Sequence, residues 1–282
     1  MGELLKRNEE LLGQWVTICK EKEPNSHFVK DGLLYRGDIY YNGGKWDRRP
    51  SNNEDNLWSN VPIKIIFLMK DFTNLEMDDI RYETMRRNNI PPHFDPIKRD
   101  AFSMNILYWL YGLTHVRKMD MVPFLEIENG QICFDFYEKY PLVRINCKKV
   151  SGGSSISDTL LYQYLSDSDY SKLLKEQIEL FEADIIVCCG GNSQIKRYVS
   201  ENIYTGCEKI NNWMFYNSEK KKLIIDSYHP SYYSWSRQSL YEVLMKNYLE
   251  FLSMNKDFQE KMEKFAIFEQ IELKNYKYNI II

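Results

Sequence analysis

Three polar side chains, each at or just beyond the end of an apolar run, carry the chemistry that can be read from this chain. They are a carboxylate, Asp71, after Ile63 to Met69; a carboxamide, Asn146, within Leu142 to Cys147; and an imidazole, His229, after Leu223 to Asp226. A carboxylate stabilises a cation forming beside it, and a carboxamide offers a paired donor and acceptor to the edge of a base. An imidazole held at a strand end, with Pro230 fixing the backbone after it, presents one ring nitrogen to a ligand. Together the trio suits recognition of a heterocycle next to a developing cation. A His-Pro pair alone is ordinarily a turn; it gains meaning from the other strand ends that converge on it. One of these is Ile185 to Cys189, closed by Gly190-Gly191, a pair that makes a tight strand-to-helix turn more readily than a phosphate cradle.

The elements that must hold these residues alternate between strands and helices. Ile63 to Met69, Leu142 to Cys147, Asp184 to Cys189 and the Leu223 run are nearly continuous apolar stretches, as buried parallel strands are. Between them Asp100 caps a helix whose inner side carries Phe102, Ile106, Trp109, Leu110 and Leu113, and Gly112 lies near its end. Tyr170 to Phe181, Asn192 to Val199 and Trp235 to Leu252 are further predicted helices. This alternation predicts an α/β fold, a three-layer α/β/α sandwich with a largely parallel central sheet and its site at the carboxyl ends of the strands.

Residues 63–252 form the predicted core domain. Residues 1–62 pack on it as an amphipathic helix (3–20) and an extended, loop-rich segment. Residues 253–282 are a C-terminal extension with a terminal helix and an edge strand. Met77 to Asn89 is predicted as a helix carrying Arg81, Arg86 and Arg87 and stopped by Pro91-Pro92. Asn129-Gly130, between Phe124 to Ile127 and Ile132 to Phe134, is a hairpin signal, with a helix over Phe134 to Tyr140 as the alternative.

Composition narrows the classes. Of 282 residues, 44% are hydrophobic and 27% charged, with a formal charge of −3, which fits a globular chain that does not coat nucleic acid wholesale but can grip a few phosphates locally. Six cysteines without a C-x-x-C pair, several in strand-like runs, read as reduced and structural. No run spans a bilayer, and Met1 to Lys6 lacks the order of a secretion signal, so no membrane and a cytoplasmic location are expected. There is no H-E-x-x-H, Walker loop or G-x-S-x-G, which leaves the common metalloprotease, NTPase and serine-hydrolase readings without their parts.

From about Ile63 to Leu252 the order of motifs resembles the uracil-DNA glycosylase superfamily. Met69-Lys70-Asp71-Phe72-Thr73-Asn74 stands at its first motif, Arg144-Ile145-Asn146-Cys147-Lys148-Lys149 at its base-reading strand, and Asp184 to Val199 at its strand, glycine turn and helix. His229-Pro230-Ser231 stands at its closing motif, the most specific of the set.

The resemblance implies a monofunctional DNA glycosylase that hydrolyses the N-glycosidic bond of a flipped-out pyrimidine and leaves an abasic site. Asp71 would serve the sugar cation and its water, His229 the base anion, and Asn146, with Lys70, Phe72 and Thr73, the base. DNA contacts are expected from Arg48, Arg49, Lys148, Lys149, Ser151, Ser231 and Arg237, with Tyr232, Tyr233 or Trp235 filling the gap left by the base. Relatives selective for uracil place a tyrosine against C5 of the base; Thr73 at that place implies room for a 5-substituent such as a hydroxymethyl or glucosylated one. A defensive use against foreign DNA carrying such pyrimidines would follow. The alternatives are an ordinary uracil remover, with Phe72 as the gate, a free-nucleoside hydrolase, and a DNA- or nucleotide-binding module that has lost hydrolysis. The cysteines that hold an iron–sulfur cluster in some members have no counterpart, so no cofactor or metal is expected, and the partner is DNA, met by a monomer.

Overall fold

The computed structural model describes residues 2–72, 78–90, 94–151, 156–190 and 192–282. The chain opens with α1 (Glu3–Lys22) and then the short strands β1 (Gly32–Leu33), β2 (Ile39–Asn42) and β3 (Lys45–Arg48). After α2 (Glu54–Asn60) come β4 (Ile65–Met69), α3 (Ala101–Thr114), α4 (Phe124–Ile127), α5 (Gln131–Tyr137) and β5 (Val143–Asn146). The second half holds α6 (Asp158–Ser166), α7 (Ser168–Leu180), β6 (Ile185–Cys189), α8 (Gln194–Tyr198), β7 (Glu208–Lys209), β8 (Met214–Asn217) and β9 (Lys222–Ser227). It ends with α9 (Arg237–Met254), α10 (Lys256–Phe268) and β10 (Ile280–Ile281).

The result is a mixed α/β fold around a seven-stranded sheet of order β1-β5-β4-β6-β9-β8-β7. Its four central strands, β5, β4, β6 and β9, run parallel. β1 is added antiparallel at one edge, and β8 and β7 at the other. Every residue of β4, β5 and β6 is buried, which is why these runs read as unbroken rather than alternating. Helices lie on both sides. One face packs Phe67, Val187 and Ile225 against α3, α9 and α10, and the other packs Ile66, Ile186 and Ile224 in a core shared with α1, α6 and α7. A second, three-stranded sheet has the order β10-β2-β3.

From β4 the chain moves to β5 on one side and then returns to β6 on the other, so the connections diverge between β4 and β6. Such a divergence opens a crevice at the carboxyl ends of the strands. The loops leaving β4, β6 and β9 begin at Lys70, Gly190 and Tyr228, all at this end of the sheet.

Two local expectations fail, each for a physical reason. Of the helix foreseen over Met77 to Asn89, whose first residue lies outside the described residues, only one 3-10 turn forms, at Ile80–Tyr82. Arg81 and Arg86 are not on a solvated helix face: both are buried, Arg81 against Asp79 and Glu9, and Arg86 against Glu138. Asn129-Gly130 does not turn a hairpin but separates α4 from α5. Gly130 takes a left-handed φ of 75° just before α5, and Asn129 Oδ1 accepts from the Gln131 N–H at 2.9 Å. Cys133, Phe134, Phe136 and Tyr137 then form a helical stripe that is buried. The strands β7 and β8 and the helix α6 have no counterpart in the sequence reading.

The terminal helix and edge strand appear as α10 and β10. Phe258 and Phe265 of α10 belong to the sheet's own core, as do Leu12 and Trp15 of α1 on the other face. Five of the six cysteines are buried, and all six are free thiols. Among the described residues no helix is long and apolar enough to cross a membrane.

Candidate functional site

The turn after β9 fixes one imidazole and its tautomer. The Tyr232 N–H donates to the His229 carbonyl at 2.8 Å, closing a turn around Pro230 and Ser231. The Ser231 N–H donates to His229 Nδ1 at 3.2 Å. A ring nitrogen that accepts carries no proton, so the neutral ring holds its hydrogen on Nε2 and can donate from there. Burial, with the Lys70 charge nearby, brings the imidazolium pKa down to about 4, so the ring is neutral at physiological pH.

Two neighbours lock the turn in place. Asn105 of α3 is buried and donates from Nδ2 to the Pro230 carbonyl at 2.6 Å. Gly190 has a φ of 86°, and a Cβ built there would come within 3.0 Å of His229 Cβ, so only glycine lets the β6 turn pass beneath the imidazole.

His229 opens onto a cavity of about 480 Å³. Lys70, Gly190 and Ser227 line it beside the imidazole, together with a polar set, Asn192, Ser193, Asn212 and Asp226, and an aromatic set, Trp213, Tyr228 and Tyr232. Tyr228 stacks on Tyr232 at 4.4 Å between ring centres, and it meets Trp235 at 5.2 Å and Trp213 at 5.4 Å. Aromatic faces beside a few fixed polar groups are what a flat heterocycle needs.

Asp71 and Asn146 lie at the ends of neighbouring strands, but not among the residues lining this cavity. Asn146 pairs in register with Met69, two residues before Asp71. Its backbone N–H donates to Asp31 Oδ2 at 2.8 Å, while its side-chain Nδ2 is buried without a partner. Asp71 Oδ2 is likewise buried, with no partner among the described residues. Burial raises the Asp71 pKa, opposed by the charges of Lys148 and Lys70. Ser227 Oγ and Ser151 Oγ are also unpartnered, so the open hydrogen-bonding valences of Asp71, Asn146, Ser151 and Ser227 all belong to this end of the sheet.

The expected DNA contacts divide. Arg48 is not at the surface: its side chain is 1% exposed, donates to the Gly37 and Arg36 carbonyls and pairs with Glu138. Lys149 is an internal cation, 2.6 Å from both oxygens of Asp31, with neither side chain exposed. Lys148 is buried too and donates to the Val150 carbonyl at 2.7 Å; burial lowers its pKa against the pull of Glu23 and Asp71. These three cannot reach a phosphate from where they sit, because the sheet's interior takes their charge.

Arg49, Ser231, Tyr233 and Trp235 are exposed, Tyr233 at 91%. Arg237 is half-buried and donates to the Arg99 carbonyl at 2.6 Å. Ser151 is half-buried, with its N–H on the His27 carbonyl. Lys70 and Phe72 are half-buried, and Thr73 lies outside the described residues. Asn105, Ser193, Trp213 and Asp226 carry no motif legible in the sequence; the packing of α3, the turn between β6 and α8 and the approach of Trp213 to β9 bring them here.

Among the described residues no group of three or more His, Cys, Asp or Glu side chains is arranged to hold a metal ion. No family model matches the chain, and neither a curated protein nor a solved structure matches it.

Proposed function

We propose that this chain is a DNA glycosylase that hydrolyses the N-glycosidic bond of a pyrimidine flipped into the His229 cavity, on a three-layer α/β/α sandwich. The observation that carries the reading is the imidazole itself. It is neutral, its Nδ1 is occupied by the Ser231 N–H, and its Nε2–H is free to donate beside a cavity with aromatic sides. Breaking the bond leaves an anionic base and an oxocarbenium-like sugar. A fixed neutral donor at the base oxygen strengthens as the anion forms, without having to give up a proton.

In this reading Asn146 would serve the base edge and Asp71 the cation and the attacking water; both stand at strand ends next to the cavity rather than in its lining, and each keeps one buried atom without a partner among the described residues. The exposed Tyr233 and Trp235 beside the turn are suited to the gap left in the duplex, and Arg49 and Arg237 to its phosphates. The substrate follows from the first motif: without a tyrosine at Thr73, the pocket takes a pyrimidine with an enlarged 5-substituent, hydroxymethyl or glucosylated.

The test is base release from oligonucleotides containing uracil, 5-hydroxymethylcytosine or glucosylated 5-hydroxymethylcytosine, scored as alkali-labile abasic sites. Release from the modified cytosines supports the reading, and release of uracil alone removes its enlarged-pocket part. Tight binding with no release from any substrate would make the chain a binding module, the reading favoured by the position of Asp71 outside the cavity lining.

A further inference from the structure

The cavity contains a carboxylate that neither the motifs nor the mechanism above uses. Asp226 lies on β9, one residue before Ser227, and its side chain points to the opposite face of the sheet from Ile225. Its backbone is held on both flanks: it pairs in register with Cys188 of β6, and its N–H donates to the Trp213 carbonyl at 2.8 Å. One carboxylate oxygen, Oδ2, accepts from the Ser193 hydroxyl. Ser193 is itself fixed, with a left-handed φ of 63° following Asn192 at 47°, a conformation that non-glycine residues hold only when their surroundings impose it. The other oxygen, Oδ1, has no hydrogen-bond partner among the described residues and is not sealed off from solvent, so the carboxylate keeps one acceptor for a ligand. Burial raises the Asp226 pKa, and the Ser193 hydrogen bond and the Lys196 charge oppose the rise.

We propose that Asp226, braced by Ser193, is the specificity-determining acceptor of the cavity: it takes a hydrogen bond from an exocyclic amino group and so favours a 4-amino pyrimidine over a 4-oxo one. This rests on the nucleobase reading of the cavity. An ionised carboxylate only accepts. Facing an amino group it forms a charge-assisted hydrogen bond; facing a carbonyl it sets acceptor against acceptor and leaves a half-buried charge unpaired. The His229 Nε2–H is indifferent to this choice, because O2 is common to both kinds of base. The imidazole therefore serves bond cleavage, while Asp226 sorts the substrates.

The test separates binding from chemistry. Oligonucleotides carrying one 2′-fluoro-deoxycytidine or one 2′-fluoro-deoxyuridine resist cleavage, because fluorine disfavours the sugar cation, and their affinities are measured by fluorescence anisotropy. The intact protein is expected to bind the cytosine oligonucleotide on the order of tenfold more tightly, the discrimination typical of one satisfied against one unsatisfied polar group. Asp226→Asn, which has an amide donor as well as an acceptor, is expected to abolish or invert that preference by raising the uracil affinity severalfold as the acceptor-against-acceptor contact is removed, while cytosine loses its charge-assisted hydrogen bond. Ser193→Ala, which frees the carboxylate without removing it, should narrow the preference and keeps the test open should Asp226→Asn fail to fold. Equal binding of the two oligonucleotides by the intact protein, an unchanged preference in the variants, or an equal loss of both affinities would each overturn the role of Asp226 while leaving the glycosylase reading intact. Binding of neither oligonucleotide more tightly than an abasic control would overturn the nucleobase reading, and this inference with it.

Discussion

Two regions of the molecule hold similar side chains and treat them in opposite ways. Around β1, β2 and β3, charged groups are driven inside and paired: Lys149 with Asp31, Arg48 and Arg86 with Glu138, and Arg81 with Asp79 and Glu9. At the carboxyl ends of β4, β5 and β9, Asn146 and Ser227 are buried and Asp71 is half-buried, and each keeps a buried atom with no partner among the described residues. The paired side chains keep open valences too, on Arg81 Nη1, Arg86 Nε and Glu138 Oε1, but each of them is already held by an ion pair, whereas the Asp71 carboxylate, the Asn146 amide nitrogen and the Ser227 hydroxyl have no such tie among the described residues. Residue type does not separate these cases. The arginines and lysines best suited to phosphate by composition belong to the first region.

The largest effect should come from breaking a pair in the first region. Lys149→Met leaves Asp31 buried and uncompensated, and should cost about 3–5 kcal/mol in denaturant unfolding. Asp31 also accepts from the Asn146 N–H and from Gln177 Nε2, so Asp31→Leu should destabilise at least as much and disorder the end of β5. If either variant unfolds like the parent protein, the paired region is not what holds this end of the sheet.

In the second region the effect should fall on activity. His229→Ala and Asp71→Asn should each reduce base release on the order of 10²-fold while unfolding close to the parent. Full activity in either variant would remove that residue from the mechanism.

Asn105→Ala should lie between the two classes. It strips the Pro230 carbonyl of its donor, at a cost of about 1–3 kcal/mol. It should also let the turn relax, so that the His229 ring nitrogens, followed by ¹⁵N NMR, titrate closer to the ordinary histidine range. A loss of stability with an unchanged His229 titration would make Asn105 a packing residue only.

Titration sharpens the contrast further. A histidine in the unfolded chain protonates near 6.5, whereas His229 in the folded protein does so at about 4. Between these values the unfolded state binds the extra proton, so stability rises with pH across that window and the His229 contribution is complete above it. Base binding should accordingly hold through mild acid and fail only near the lower value. A midpoint near 6.5 would mean that the imidazole is solvated.

The smallest effect belongs to the exposed arginine. Arg49→Ala should change stability by less than about 0.5 kcal/mol, yet lower the salt dependence of DNA binding by nearly one unit of slope if it holds a phosphate.

What the sequence made legible was whatever repeats a simple period. The unbroken apolar runs of β4, β6 and β9, the Asp100 cap of α3 and the stripe of α7 follow from spacing alone, and with them the strand ends that carry Asp71, Asn146 and His229. What stayed hidden depends on pairing between distant residues. Arg48 is 90 positions from Glu138 and Lys149 is 118 from Asp31, and nothing local distinguishes these cations from solvated ones. Asp226 was hidden differently: as the polar end of an apolar strand it read as a terminus, and only the arrival of Ser193 and Trp213 from other parts of the chain makes it part of a cavity wall.

The small sheet sets an order of events in time. β2 pairs on one side with β3, the next strand in the chain, and on the other with β10, so that Ile39 lies beside Ile280 and Tyr40 beside Ile281. During synthesis the β2–β3 ribbon can form early, but one edge must wait, unpaired, until almost all the remaining described chain has left the ribosome. Phe258 and Phe265, which complete one of the two cores, arrive nearly as late. Between the emergence of β2 and that of β10 the nascent chain therefore carries an open strand edge and an unfilled core, and an open edge is a template for mispairing that the finished fold no longer offers on that side.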